Sequence, residues 1–263
     1  MTAAPTLEDR FLASYFRLNT RGFHRVMRWR GKTTLRHRTP YGSLFDLAPV
    51  DYIDATALRE GYYESEVINA LQPFFAPDTV FWDIGANIGL HAVTAAFLSP
   101  QTRVIAFEPN PAVARRLLAH ASLNSTPVEL QPLALSDRDG ESLLQLGPPG
   151  NAGMSSLVQG RGDVLTVRTA RADTLIDAGT LPPPNVIKLD IEGAESLALR
   201  GFSRHLAAPS LRAVVFESDT RVADAPHHCP AASLLVASRF QLHRLKRRES
   251  TGHLLANFIA VRS

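Results

Sequence analysis

The sequence predicts an α/β fold with a mostly parallel central sheet, and three stretches predict it. The first covers residues 80–96, Val-Phe-Trp-Asp-Ile-Gly-Ala-Asn-Ile-Gly-Leu-His-Ala-Val-Thr-Ala-Ala. It opens as an apolar strand ending at Asp83, turns through Gly85-Ala86-Asn87-Ile88-Gly89, and continues as an Ala-rich helix over residues 90–98. The second is Arg103-Val-Ile-Ala-Phe-Glu108-Pro109-Asn110, a short apolar strand with a carboxylate at its C-terminal end. The third is Asn185-Val-Ile-Lys188-Leu-Asp190-Ile-Glu192-Gly193, fourth in a β-α alternation and therefore central, covered on both faces.

The turn after Asp83 points to a ligand. Glycines between strand and helix let a ligand approach the backbone, and the N–H groups that open the helix favour an anionic group there. A carboxylate about twenty residues further on, at the end of the next strand, is where a Rossmann-like fold holds ribose hydroxyls. Two cofactors use this geometry, a nicotinamide dinucleotide and S-adenosylmethionine (SAM). The dinucleotide fingerprint is G-x-G-x-x-G, whereas this chain reads Asp83-x-Gly85-x-Asn87-x-Gly89. It lacks the pyrophosphate glycines and sets an acidic side chain just before the turn. That charge attracts the methionine ammonium of SAM and repels a pyrophosphate. A strand–turn–helix without a ligand leaves two carboxylates at successive strand ends unexplained.

The 263 residues suffice for one large α/β domain, and 45% apolar composition excludes disorder. A net charge of +3 does not by itself imply nucleic acid. Nearly all the basic residues are Arg; the lysines are Lys32, Lys188 and Lys246. Cys229 is the single cysteine, so no internal disulfide forms and a reducing compartment fits. The first residues lack a basic start followed by an apolar block, and no apolar run reaches the length of a membrane span, so the expected location is the cytoplasm.

Residues 5–38 form a basic arm. Arg17, Arg21, Arg25 and Arg28 recur at helical spacing on one side, Phe16, Phe23 and Met27 on another. The arm reads either as a cap helix that packs its apolar side on the domain, or as a helix that touches an anionic membrane or carrier. A hairpin follows around Pro40-Tyr41-Gly42, and a helix over residues 66–75 leads into the first central strand. Tyr62, Tyr63 and Glu64 precede that strand as a lip over the cofactor or a surface turn. Residues 1–57 are thus expected to cap a domain spanning 58–263.

After Glu108, Pro111–Asn124 is an amphipathic helix, and residues 128–135 read as one strand closed by Ser136-Asp137. The insertion over 141–170 reads as two strands around a long glycine-rich loop, 147–157, expected to be a flap on the substrate side. In the strand at 185–190, period two places Lys188 and Asp190 on one face, and a buried lysine needs a charge partner. A helix over 194–200 is stopped by Gly201. Residues 211–219 form the fifth strand, with Glu217 and Asp219 at its end, and 239–245 with 254–262 close the sheet as an antiparallel pair. His227-His228-Cys229 has no second half to complete a metal site and reads as loop.

Taken together, Gly61-Tyr-Tyr-Glu64, Asp83-Ile-Gly-Ala-Asn-Ile-Gly89, Phe107-Glu-Pro-Asn110, Ala134-Leu-Ser-Asp137, Ser155-Ser-Leu157 and Ile187-Lys-Leu-Asp-Ile-Glu-Gly-Ala-Glu195 resemble the FkbM-type SAM-dependent methyltransferases. The resemblance runs from about residue 40 to 220. It implies a class I methyltransferase fold, a Rossmann-like, seven-stranded and mostly parallel sheet with an antiparallel closing strand. It also implies O-methylation of a sugar or natural-product hydroxyl. By it, Asp83, Gly85, Asn87 and Gly89 cradle the methionine end, Glu108 takes the ribose, and Ser136 and Asp137 border the adenine. The cofactor set extends to Glu64, Ala86, Pro109, Asn110 and Asp190, and Lys188, Asp190 and Glu192 sit at the reaction centre. This chain departs from the family pattern at His120, where an Asn is usual, and at Ala172-Asp173, where Leu-Asp is usual.

The expected reaction is attack of a hydroxyl on the SAM methyl. Alignment supplies most of the acceleration, Asp190 or Glu192 serves as base and Lys188 as oxyanion partner. A less favoured version pools Asp190, Glu192, Glu217 and Asp219 around Mg²⁺. Methylation of RNA through the basic arm is the alternative enzyme reading; the arm has no RNA-binding module and the chain no Asn/Asp-Pro-Pro-aromatic motif. A SAM-binding protein without chemistry is opposed by the carboxylates at four strand ends. The sequence leaves the oligomeric state open, a homodimer among the options.

Overall fold

Thr6 opens the first helix by a reciprocal cap. Its Oγ1 accepts from Asp9 N at 3.1 Å, and Asp9 Oδ2 accepts from Thr6 N at 3.1 Å. The structure is a computed structural model describing residues 4–18, 26–27, 29–148, 150–157, 163–219, 228–246 and 255–262. The arm's Arg21, Phe23, Arg25 and Arg28, and the side chain of Arg17, lie outside the described residues. Helix α1 (Leu7–Leu18) buries Leu12 and Phe16, and Met27 is buried with them. Strands β1 (Leu35–Arg38) and β2 (Leu44–Leu47) form an antiparallel hairpin. Asp51 caps α2 (Tyr52–Glu60), accepting from the N–H groups of Ile53 and Asp54, and Gly61 ends it in the left-handed region. Helix α3 (Ser65–Leu71) continues as a 3₁₀ turn, Gln72–Phe74, a little short of the expected 66–75.

The sheet is built next. Strand β3 (Val80–Ile84) leads into α4 (Leu90–Leu98), β4 (Arg103–Phe107) into α5 (Pro111–Asn124), and β5 (Val128–Gln131) ends this half. The expected strand over 128–135 divides here. Pro132 has no N–H to continue the ladder, and Leu133 N turns back to Gln131 O at 2.9 Å. The chain then enters a second sheet: β6 (Ala134–Leu135) pairs with β8 (Val164–Ala170), which pairs antiparallel with β7 (Gly140–Gln145). Helix α6 (Ala172–Asp177) leads to β9 (Val186–Leu189), then α7 (Glu195–Gly201), β10 (Ala213–Asp219), α8 (Pro230–Ala237), β11 (Phe240–Arg244) and β12 (Leu255–Arg262).

The strand order is β5-β4-β3-β9-β10-β12-β11. The five strands from β5 to β10 are parallel, and β12 runs antiparallel between β10 and β11. This is the Rossmann-like class I methyltransferase arrangement, with the order reversing at β3, so the loops after β3, β4 and β9 meet at one crevice.

Period two divides the core between the two faces of the sheet. Phe81, Val104, Ala106 and Val186 enter one cluster; Trp82, Ile84, Ile105, Phe107, Ile187 and Leu189 enter the other. The first cluster also contains Leu12, Phe16, Leu35 and Phe45, so α1 and the hairpin share a core with the sheet. Two side chains of α5 hold the hairpin there. Asn124 bonds both the N–H and the carbonyl of Leu44 at 2.7 Å, and His120 reaches the backbone of Asp46. No helix among the described residues is long and apolar enough to cross a membrane.

Gly201 shows how tightly α7 packs against the second sheet. A Cβ there would stand 1.9 Å from the carbonyl oxygen of Ser136, next to β6. Gly201→Ala is expected to lower stability by about 1–3 kcal/mol through overpacking. Urea unfolding reads this as a fall in midpoint at unchanged slope; an unchanged midpoint would contradict the close approach.

Candidate active site

The loop after β3 is fixed by backbone contacts that few residues tolerate. Gly85 has φ +79°, and a Cβ on it would lie 1.9 Å from Asp190 O, so glycine alone lets the loops after β3 and β9 touch. The N–H groups of Gly85 and Ala86 both donate to Phe107 O, at 3.1 and 3.0 Å, which ties the turn to the end of β4. Asn87 follows at φ 51°, and its N–H donates to Glu108 Oε2 at 3.0 Å. The other oxygen of Glu108 accepts from Asn110 N at 2.8 Å. Burial pushes the Glu108 carboxyl up to about 7, against the pull of these two N–H groups. Asn110 caps α5 by accepting from Ala112 N. Gly89 starts α4 and meets Leu117 behind the loop.

Beneath the loop sits Lys188, 4% exposed. Its Nζ lies 3.1 Å from Asp190 Oδ2 and 3.5 Å from Asp83 Oδ1, and donates to Gly85 O at 3.2 Å. One ammonium proton goes to Gly85 O, and the two carboxylates stand within ion-pair distance of the same nitrogen. Burial works against this charge, but Asp190, Asp83 and Glu64 outweigh it and hold Lys188 above the usual lysine range. Asp83 is 0% exposed, and neither of its oxygens completes a well-formed hydrogen bond. Burial raises its carboxyl, Lys188 opposes and Asp190 adds.

Further carboxylates converge on Asp190. Glu64, at φ 54° before α3, is buried rather than part of a surface turn. Burial pushes it up to about 8, with Asp190 adding and Lys188 opposing. The neighbouring Tyr63 hydroxyl is raised by burial and then by Glu64, Asp190 and Glu217. Tyr62 is buried and donates to Leu90 O at 2.9 Å. Glu192, at φ 52°, is pushed up to about 7 by burial, then by Asp190 and Glu217. Its carbonyl accepts from Ser156 Oγ at 2.6 Å. That bond anchors one shoulder of the 147–157 loop; Tyr52 N, donating to Gly150 O at 2.7 Å, anchors the other.

The cleft between these loops holds about 560 Å³ of empty space, part of it open solvent. Gly85, Asn87, Glu108, Pro109 and Asp190 line it. Leu133, Leu135, Leu144 and Leu157 make an apolar end, with Gly153 and Ser155 from the loop. Of the expected site residues, Gly85, Asn87, Glu108, Pro109 and Asp190 therefore share one cleft. Asp83, Ala86, Gly89, Asn110 and Lys188 support it from behind. Glu64 and Glu192 stand in the charge field of Asp190 without lining the cleft. Ser136 and Asp137, expected at the adenine, directly follow the lining residues Ala134 and Leu135 and are not themselves among the residues lining this cleft. Ser136 N pairs with Ala170 O, and the Asp137 carboxylate faces Arg138 and Arg200. The apolar end was missed because leucines in a strand carry no sign of a ligand.

Among the described residues no group of three or more His, Cys, Asp or Glu side chains is arranged to hold a metal ion. The side chain of Asp219 and all of His227 lie outside the described residues.

The raised carboxyls carry a stability signature. Glu64 moves from an ordinary 4.5 to about 8 on folding, so folding favours its protonated form. That contribution is complete below pH 4.5 and is lost as pH climbs through 8; Glu108 and Glu192 share the sign. Stability is expected to decline between pH 5 and 9, and Glu64→Gln to flatten the decline, gaining on the order of 1 kcal/mol at the alkaline end. Denaturant midpoints across that range check it; parallel curves for parent and variant would refute the shift.

Comparison with known proteins agrees with this geometry. The family model described as the methyltransferase FkbM domain matches residues 83–228, more than half of the chain. The chain is 33% identical over 168 residues to a protein of Haloferax volcanii named hexuronic acid methyltransferase AglP, covering 63% of this chain and 66% of that one. It is 28% identical over 148 residues to methyltransferase 1 of Beauveria bassiana, covering 59% of that protein. The chain thus matches less than two thirds of the length of these relatives. A solved structure of methyltransferase FkbM from Methylobacillus flagellatus is 15% identical with a TM-score of 0.48, covering 80% of this chain and 52% of that one. With its sheet order, its crevice at the reversal and the family match over 83–228, this chain belongs to the FkbM methyltransferase family.

Proposed function

We propose that the chain is a SAM-dependent O-methyltransferase acting on a sugar hydroxyl. The observation that carries the reading is the single cleft in which Glu108 and Asp190 stand at the tips of different strands, with an apolar end beyond them. A nucleoside with a charged amino-acid tail has the same sequence of chemistries. Glu108, held by two backbone N–H groups, is placed to accept from ribose hydroxyls, and Leu133, Leu135, Leu144 and Leu157 suit a flat adenine. Gly85, Asn87 and Asp190 remain for the methionine end. When bound, SAM supplies a methyl group on a sulfonium, an electrophile that needs only an aligned nucleophile.

The side chains beyond Asp190 then divide the work. Asp190 is held by Lys188, which also donates to Gly85 O and so positions the loops after β3 and β9. Glu192, with its carboxyl near 7 and partly open to solvent, is the proton acceptor for the hydroxyl. Residues 1–57 cap a transfer domain over 58–263, and the insertion at 141–170 carries the loop that borders the cleft. The sugar acceptor is supported by the hexuronic acid named for the Haloferax volcanii relative.

Calorimetry with SAM and its demethylated product tests the first claim, and absence of heat would overturn it. Glu108→Gln is expected to weaken that binding roughly 10–100-fold, as for loss of hydrogen bonds to a charged group. In the parent the affinity should fall below about pH 7, as Glu108 takes up its proton. Glu192→Gln should retain nucleoside binding and lose turnover together with the acidic limb of the pH profile near 7. Full turnover in that variant would remove Glu192 as base, and loss of activity in EDTA would restore a metal-assisted mechanism.

A further inference from the structure

Helix α1 carries two apolar stripes, and the domain covers one of them. Leu12 and Phe16 are buried against the hairpin, while Leu7 is 85% and Phe11 67% exposed. Residues four apart share a helix face, and Phe11 stacks on Tyr15, centroids 6.4 Å apart, where the outer stripe meets the core. Trp29 is also 79% exposed, and its neighbour Arg30 reaches α1. The Arg30 guanidinium lies 5.1 Å from the Trp29 ring centroid and 3.0 Å from Glu8 on α1. Arg10 is exposed on the same helix.

Charge identifies the partner. Residues 1–40 contain nine Lys and Arg against two acidic residues, a net +7, whereas the whole chain carries +3, so the remainder is net −4. The two acidic residues, Glu8 and Asp9, are already paired with Arg30 and Lys32. A second copy of this arm would be repelled by the same charge. A nucleic acid would satisfy the arginines but has no use for exposed Leu, Phe and Trp. An anionic bilayer satisfies both, since apolar side chains enter the headgroup boundary, Trp favours that depth, and basic residues meet anionic lipid.

We propose that α1 and Trp29 form an interfacial patch that docks this protein on an anionic phospholipid surface. The patch lies outside the cleft, and the proposal stands independently of the methyl-transfer reading.

The test is co-sedimentation of the full chain with vesicles of phosphatidylcholine alone or mixed with phosphatidylglycerol. Binding to the mixed vesicles should be at least about tenfold tighter and weaken with salt. Leu7→Ser, Phe11→Ser and Trp29→Ser combined should lose about tenfold or more in affinity, with melting temperature and nucleoside heat unchanged. Trp29 emission should shift to the blue on the mixed vesicles, a shift missing in Trp29→Phe, which leaves only buried Trp82 to report. Equal binding to both vesicle types, or undiminished binding by the triple variant, would overturn the proposal. So would a dimer that the triple variant abolishes, or heparin binding equal in parent and variant with no vesicle binding.

Discussion

A single buried ammonium holds the crevice in shape. Lys188 lies in the middle of the sheet, with Asp83 beside it on β3, Asp190 just beyond its own strand and Gly85 O above it. Removing one partner of such a cluster leaves uncompensated charge in a low-dielectric interior, which is far costlier than losing a surface pair. The cluster also explains why the β3 turn can be so tight. Gly85 O points down to the ammonium, its N–H points across to Phe107 O, and its missing Cβ leaves room for Asp190 O. Strand β9 thereby sets the geometry of a loop 103 residues earlier in the chain.

The apolar runs of β3, β4 and β9 were legible because strands buried on both faces admit little else, and the boundary of α4 followed from Gly89. Lys188 was legible for the opposite reason: it is a charge where the run leaves no room for one, in a chain that otherwise prefers Arg. The placement of Ser136 and Asp137 was not legible. Pro132 diverts the chain into the second sheet, and the partner that turns Asp137 away, Arg200, is far along the sequence on α7. Nor did the pattern reveal that His120, at a family Asn position, and Asn124 clamp the hairpin to α5, because each meets a backbone group rather than a side chain of complementary type.

The carboxyl groups around Asp190 illustrate a further tension between stability and chemistry. Glu64, Glu108 and Glu192 all resist ionisation in the folded chain, through burial and, for Glu64 and Glu192, through one another's neighbours. A fold selected for stability alone would place apolar groups there. Glu108 lines the cleft, and Glu64 and Glu192 stand in the charge field of Asp190 beside it, the expected signature of a site that needs charge more than it needs calm.

The 147–157 loop stands at the doorway of this crevice. It is latched on one jamb by Ser156 to the Glu192 turn and on the other by Gly150 to the start of α2. Gly153 leaves no spare width between them, since a Cβ on it would press on Ile53 at 2.7 Å. The position of this loop beside the cleft is therefore set jointly from two directions, by the turn after β9 and by the start of α2.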